Sequence, residues 1–286
     1  MQNRALGIAC ALLAALTFGS VNVAARVAIT NGLQPLWVAA FAYVIGGIAL
    51  SPVLRHGRVQ RADRPRLAIV VLSGAVAAPI LLFYGLSRTS AVDSSLLLNL
   101  EMVFTGILAF RFLGERARGH ELLGLAAITV GAVLVSLAAG REGASSLLGA
   151  ALVALAALGW GIDNTASTPL AARYDPRVLI AWKTLVGGTL VVLVALLLAG
   201  PPGGTPRDWA LAGLIGLVGV AASSVIFYVA LRHLGAARTT VIFSTSALVG
   251  AALGHFLLAE PLTALHLAGA GASVLGVLLV TLRRPG

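Results

Sequence analysis

The chain repeats itself once, and each copy holds an odd number of membrane-length apolar segments. The run from Leu13 to Asn22 aligns with the run from Leu155 to Asn164, aromatic on aromatic (Phe18, Trp160) and amide on amide (Asn22, Asn164). Pro35 then falls on Pro176, Phe41 on Trp182, and Gly46-Gly47 on Gly187-Gly188. Further along, Glu115 answers Glu260, and Gly124 and Gly131 answer Gly269 and Gly276; the offset stays between 141 and 145 residues throughout. Two copies of an odd-span unit in one chain enter the bilayer from opposite sides. The predicted fold is therefore an all-α integral membrane protein of ten transmembrane helices, arranged as two inverted five-helix repeats, residues 1–140 and 141–286. In inverted pairs of this kind a solute site forms near the bilayer midplane, where the repeats meet.

Composition says that lipid is the solvent: 59% of the residues are hydrophobic and only 10% are charged. The formal charge of +10 does not indicate a nucleic-acid binder, because the arginines are scattered between apolar segments and form no basic domain. A single cysteine, Cys10, excludes an internal disulfide and a cysteine-rich metal site. The N-terminus looks like a signal peptide, but its repeat partner at 147–172 lies deep inside the chain, so the first segment reads as a retained span. Ten spans are expected, near 5–29, 36–54, 67–87, 91–112, 120–138, 148–172, 178–199, 209–231, 238–258 and 264–282. With the N-terminus inside, fifteen arginines lie on the inner side against four outside: Arg26, Arg88, Arg141 and Arg207. This positive-inside bias places both termini in the cytoplasm.

Residues 84–137 carry the most specific pattern: Tyr84-Gly85-Leu86-Ser87-Arg88-Thr89-Ser90-Ala91, then Leu100-Glu101-Met102-Val103-Phe104-Thr105, then Phe112-Leu113-Gly114-Glu115-Arg116 and Glu121-Leu122-Leu123-Gly124. This resembles the EamA-type family of the drug/metabolite transporter superfamily, and Phe18-Gly19-Ser20 with Asn22 and Ala24-Ala25-Arg26 fits the same pattern. The resemblance covers essentially the whole chain. It implies a ten-helix carrier of the bacterial inner membrane that exports amino acids or related metabolites, and within that family the chain is similar to amino-acid exporters of the YddG type. One departure stands out. The family commonly has a proline after the glutamate of the fourth span; here that position is Met102, and the second copy, Thr245-Ser246-Ala247, lacks both residues. Any bend in these helices is expected at glycines such as Gly106 or Gly250.

Ionisable groups inside a span are costly and mark function by default. Glu101 lies halfway along the fourth span, as a proton carrier, a ligand for a substrate amine, or a protonated bridge between helices. Asp163 and Lys183 are both expected in the inner half of the membrane. They either pair, and then hold the two charges of an amino acid in turn, or act separately, Lys183 snorkelling to the interface and Asp163 capping a break at Gly159–Gly161. Asn22 and Asn164 each follow an aromatic residue by four positions, which puts amide and ring on one helix face. Two such faces either wall a cavity or glue helices together. Tyr43, Asn99, Phe243 and Ser244 complete the candidate substrate-binding set of Phe18, Asn22, Tyr43, Asn99, Glu101, Trp160, Asp163, Asn164, Lys183, Phe243 and Ser244. Trp182, Tyr84, Tyr228 and Ser246 are further candidates for the lining. Pro79 is expected to kink the third span, either freeing a backbone carbonyl toward a cavity or only improving packing. Small residues at helical spacing in the fifth and tenth spans suit a scaffold or a dimer face, and Glu115-Arg116 and Glu260-Pro261 suit span-end caps or anchors.

No phosphate-binding loop, no metal motif and no catalytic elbow is present, so no cofactor, no metal and no catalytic residue is expected. The expected partners are a small-molecule substrate and the lipid bilayer, with no nucleic acid, in a monomer or a homodimer. The leading reading is a secondary exporter of small metabolites, neutral or aromatic amino acids first. The alternatives are a proton-coupled exporter of another metabolite or drug, an intramembrane enzyme and a channel.

Overall fold

A computed structural model describes residues 3–114, 119–139 and 146–281. Among them there is no β-strand, and the backbone is a succession of helical segments. These are α1 (Arg4–Thr30), α2 (Pro35–Arg55), α3 (Arg61–Leu86), α4 (Ala91–Phe112), α5 (Gly119–Ala138), α6 (Leu147–Arg173), α7 (Pro176–Leu198), α8 (Pro206–Leu234), α9 (Arg238–Leu258) and α10 (Ala264–Thr281). Nine of them, α1 to α9, are long and apolar enough to cross a membrane. The tenth is shorter, 18 residues or about 27 Å at the helical rise, against a hydrocarbon core of about 30 Å. Asp175 at the start of α7 and Ser146 at the start of α6 cap their helices by accepting a backbone N–H, and Pro176 occupies the first turn of α7.

The outside of the bundle is apolar: Leu197, Leu198, Phe256 and Leu147 are among its most exposed side chains. Buried polar groups lie within. A soluble domain shows the reverse arrangement.

Packing follows a pattern that survives exchanging each helix with the one five places on. The pairs α2–α7, α4–α9 and α5–α10 map onto themselves, and α1–α8 exchanges with α3–α6. In α5–α10 the small residues bring backbones together. A Cβ on Gly131 would lie 2.6 Å from the Gly269 carbonyl oxygen, and one on Gly276 would lie 2.5 Å from that of Gly124. These glycine faces are therefore consumed within the chain.

Local irregularities also recur in matched places. Wider π-turns run over Leu72–Ala77 in α3 and over Ile215–Ala222 in α8. Both α4 and α9 tighten midway. In α4 the N–H groups of Asn99, Glu101 and Met102 bond three residues back, to Leu96, Leu98 and Asn99. In α9 the tightening falls at Ser244, whose hydroxyl donates to the Val241 carbonyl, while Thr245 donates to Ile242. The irregular turns thus fall at Asn99 and Ser244 and not at Gly106 or Gly250, and in α9 hydroxyl groups compete locally for the backbone. No break occurs at Gly159–Gly161, since α6 is continuous there.

At one end Glu260 accepts from the N–H groups of Ala91 and Val92, at 2.9 and 2.8 Å, and so caps α4 from a distant part of the chain. Nearby, His266 donates from Nε2 to Asp93 at 2.8 Å, its Nδ1 taken by the Thr263 N–H. This buried pair spans 173 residues of sequence. Glu115 and Arg116 lie outside the described residues.

Candidate functional site

Pro79 creates the first element of the site. Within the π-turns of α3 the Ala78 N–H bonds to the Ser73 carbonyl, one residue further back than in an α-helix. The Gly74 carbonyl thereby loses its usual donor, and its next one along would be residue 79, a proline with no N–H. Two side chains fill the vacancy: the Tyr43 hydroxyl from α2 and the Trp160 indole N–H from α6, each at 3.1 Å. A π-turn in one helix thus fixes two aromatic walls contributed by two others.

Those walls border a cavity of about 460 Å³, counting its mouth. It is lined by Phe18 of α1, Tyr43 of α2, Glu101 of α4, Trp160, Asp163 and Asn164 of α6, and Lys183 of α7. Gly219, Val220, Ser223, Ser224, Phe227 and Tyr228 of α8, with Phe243 of α9, close the ring. Phe18 stands edge-on to Trp160, with centroids 5.7 Å apart, and touches Phe243 at 5.2 Å.

Polar groups in this cavity are partnered, as low dielectric demands. Lys183, only 5% exposed, donates to Oδ2 of Asp163, while the Tyr228 hydroxyl donates to Oδ1 at 3.2 Å. The Lys183 ammonium also lies 5.6 Å from the centroid of the Tyr228 ring. Lys183 does not snorkel. Asn164 donates to Glu101 at 2.7 Å, and its amide also lies 3.3 Å from the Thr105 hydroxyl. A cation, two acids, an amide and aromatic faces therefore converge in one space. Such a set can take the ammonium and carboxylate of a zwitterion while the rings hold an apolar side chain.

Of the residues singled out in the sequence, Phe18, Tyr43, Glu101, Trp160, Asp163, Asn164, Lys183 and Phe243 line this cavity, together with Tyr228. Asn99, Ser244 and Ser246 line a smaller neighbouring chamber. Asn22 is in the lining of neither. It is buried, and its amide donates to the Ser95 hydroxyl of α4 at 3.0 Å. Trp182 instead borders a separate cleft with Leu54, Arg58 and Arg64. Tyr84 packs partly buried, with the Arg88 guanidinium 6.0 Å from its ring centroid. Of the α8 wall, sequence reasoning took only Tyr228 and passed over the rest, for which Ser223-Ser224 in an apolar span was the available signal. A carbonyl freed by Pro79 was expected, but not that it is the one of Gly74. Among the described residues no three His, Cys, Asp or Glu side chains converge as metal ligands.

The family pattern of the EamA-like transporters matches this chain twice, over residues 5–137 and 147–282. The protein belongs to the EamA-like transporter family, within the drug/metabolite transporter superfamily. Relatives agree. An uncharacterized transporter of Methanothermobacter thermautotrophicus is 28% identical over 87% of this chain and 79% of its own. A probable terminal-alkyne amino-acid exporter of Streptantibioticus cattleyicolor is 28% identical over 96% of this chain and 93% of its own. The uncharacterized transporter YoaV of Bacillus subtilis is 22% identical over 93% of each. One crystal structure shares the fold, with a TM-score of 0.76 at 18% identity, covering 98% of this chain and 97% of that one. The protein is a multi-pass membrane transporter.

Proposed function

We propose that this transporter is a secondary carrier exporting neutral or aromatic amino acids by alternating access through the aromatic cavity. The observation that carries the reading is the buried Lys183–Asp163 pair set against Trp160, Phe18 and Tyr43. The ammonium and carboxylate of a zwitterion would replace these partners one for one, and Glu101 supplies a second acid beside them. A relative named as an amino-acid exporter supports the same substrate class.

The cavity is read as the meeting place of two inverted five-helix halves, residues 1–140 and 141–286, giving ten spans in all. Support comes from the two family matches, the exchange symmetry of helix packing, and the paired π-turns and tightened turns. The arginine bias supports cytoplasmic termini in a bacterial inner membrane. The small-residue faces of α5 and α10, spent on each other, support a single chain as the transporting unit. Glu101 is read as the group that carries a proton or holds the substrate ammonium.

Counterflow in proteoliposomes tests the substrate class. Liposomes preloaded with an unlabelled neutral amino acid should accumulate the labelled one transiently, and recover it chemically unchanged. Absence of trans-stimulation across neutral and aromatic amino acids would sink the reading. Reporters fused at residue 145 and at the C-terminus should report opposite faces of the membrane; the same face for both would remove the inversion.

A further inference from the structure

Beside the main cavity, where the tightened turns of α4 and α9 meet, lies a second, smaller chamber. Phe18, Phe243 and Glu101 line both spaces, so two aromatic rings and one carboxyl group form the partition. Its polar lining is Asn99, Thr240, Ser244 and Ser246, with Glu101.

Hydrogen-bond accounting gives this chamber an unusual sign. Thr240 spends its hydroxyl hydrogen on the Ala236 carbonyl at 2.9 Å, and Ser244 spends its own on the Val241 carbonyl at 2.6 Å. Both oxygens are left with lone pairs only. Oδ1 of Asn99 is a buried acceptor with no partner, on a side chain 3% exposed. The carboxyl group of Glu101 faces the same space. A buried acceptor without a donor is costly, and here it shares a lining with the hydroxyl oxygens of Thr240 and Ser244. Set against the donors at hand, the Ser246 hydroxyl and the Asn99 amide group, the acceptors are in excess, and what satisfies an acceptor-rich cluster of this kind is a cation stripped of part of its water. Irregular turns in the middle of membrane helices are the usual place for such a site.

We infer that the chamber at the α4–α9 crossing binds a small monovalent cation of sodium size, held by Asn99, Thr240, Ser244 and Glu101. The assignment stands on the geometry of the chamber and does not require the amino-acid reading. The ion would neutralise the face of Glu101 turned away from the substrate cavity. Its presence or absence is thereby felt across the Phe18–Phe243 partition.

The test is direct binding of radioactive sodium to the purified full-length chain in detergent, with no amino acid present. Saturable binding is expected, displaced by unlabelled sodium and not by potassium or choline. Thr240→Val keeps the shape and removes one oxygen; Asn99→Leu removes the orphaned acceptor. Each should weaken sodium binding by about tenfold or more, the loss expected for one good ligand. Thermal midpoints of both variants in choline should stay near that of the parent. Should Asn99→Leu not fold, Thr240→Val decides alone. No saturable sodium binding to the parent, displacement by potassium as readily as by sodium, or parent-like affinity in a folded Thr240→Val overturns the inference. Because the assay contains no substrate, its failure leaves the amino-acid reading standing, and a failed counterflow experiment leaves the cation site standing.

Discussion

A methyl group on Gly74 would fall on the carboxylate of Asp163. The π-turns of α3 therefore press bare backbone against the acid that pairs with Lys183, while the carbonyl of the same glycine holds Tyr43 and Trp160. One residue in one helix thus sets the positions of an ion pair and two aromatic walls. Gly74→Ala is expected to cost about 1–3 kcal/mol through overpacking. It should also abolish most flux, because Asp163 must move off Lys183 or Tyr228. Thermal unfolding in detergent with counterflow on the same sample checks this; a folded Gly74→Ala protein with parental flux would separate the ion pair from transport.

The Lys183–Asp163 pair gives a sharper separation of stability from function. Lys183→Met leaves an acid buried without its cation, and Asp163→Asn leaves the cation without its acid. Each single change is expected to destabilise the fold by about 3–5 kcal/mol. The double variant removes both charges and should regain most of that loss. Flux should stay low in all three, since neither charge of a zwitterion then finds its counterpart. Restored flux in the double variant would show that the pair is structural only.

Trp160 and Asn22 occupy equivalent aromatic–amide faces in the sequence, Trp160 with Asn164 and Phe18 with Asn22, yet the structure uses the two amides differently. Asn164 faces the cavity and holds Glu101, whereas Asn22 ties α1 to Ser95 of α4. Trp160→Phe keeps a ring and gives up the bond to Gly74, so KM is expected to rise severalfold with about 1 kcal/mol lost in stability. Asn22→Ala should cost a similar stability and leave KM unchanged. A matched rise in KM for Asn22→Ala would return that residue to the substrate path.

Much of this arrangement was legible in the sequence because it follows from periodicity. Apolar length located the nine membrane-length helices, and depth alone put Asp163 and Lys183 within reach of each other. Three features were not legible, each for a physical reason. Pro79 signals a freed carbonyl, but that it belongs to Gly74 depends on a register shift of one hydrogen bond, which no residue pattern announces. The turn at Ser244 comes from local competition between hydroxyl groups and backbone, and the one at Asn99 from backbone bonds three residues back, where glycines seemed the natural hinges. The Asp93–His266 pair joins helices 173 residues apart, and two isolated polar residues at that distance carry no common signal.

A last expectation concerns pH and lies outside the membrane segments. Asp175 caps α7 by accepting from the Arg177 N–H at 2.8 Å and from its guanidinium at 2.7 Å. These bonds, the guanidinium's first, hold its carboxyl group below the usual carboxylate range. A group lowered in the folded state stabilises above its unfolded pKa and loses that contribution as pH falls through its folded one. Asp175→Ala should therefore lower stability by about 1 kcal/mol near neutral pH, the usual worth of an N-cap. Its thermal midpoint should approach that of the parent as pH drops through and below about 4, where the parent's own cap protonates. Parallel curves for the two proteins across that range would mean that the Asp175 charge contributes nothing to holding α7.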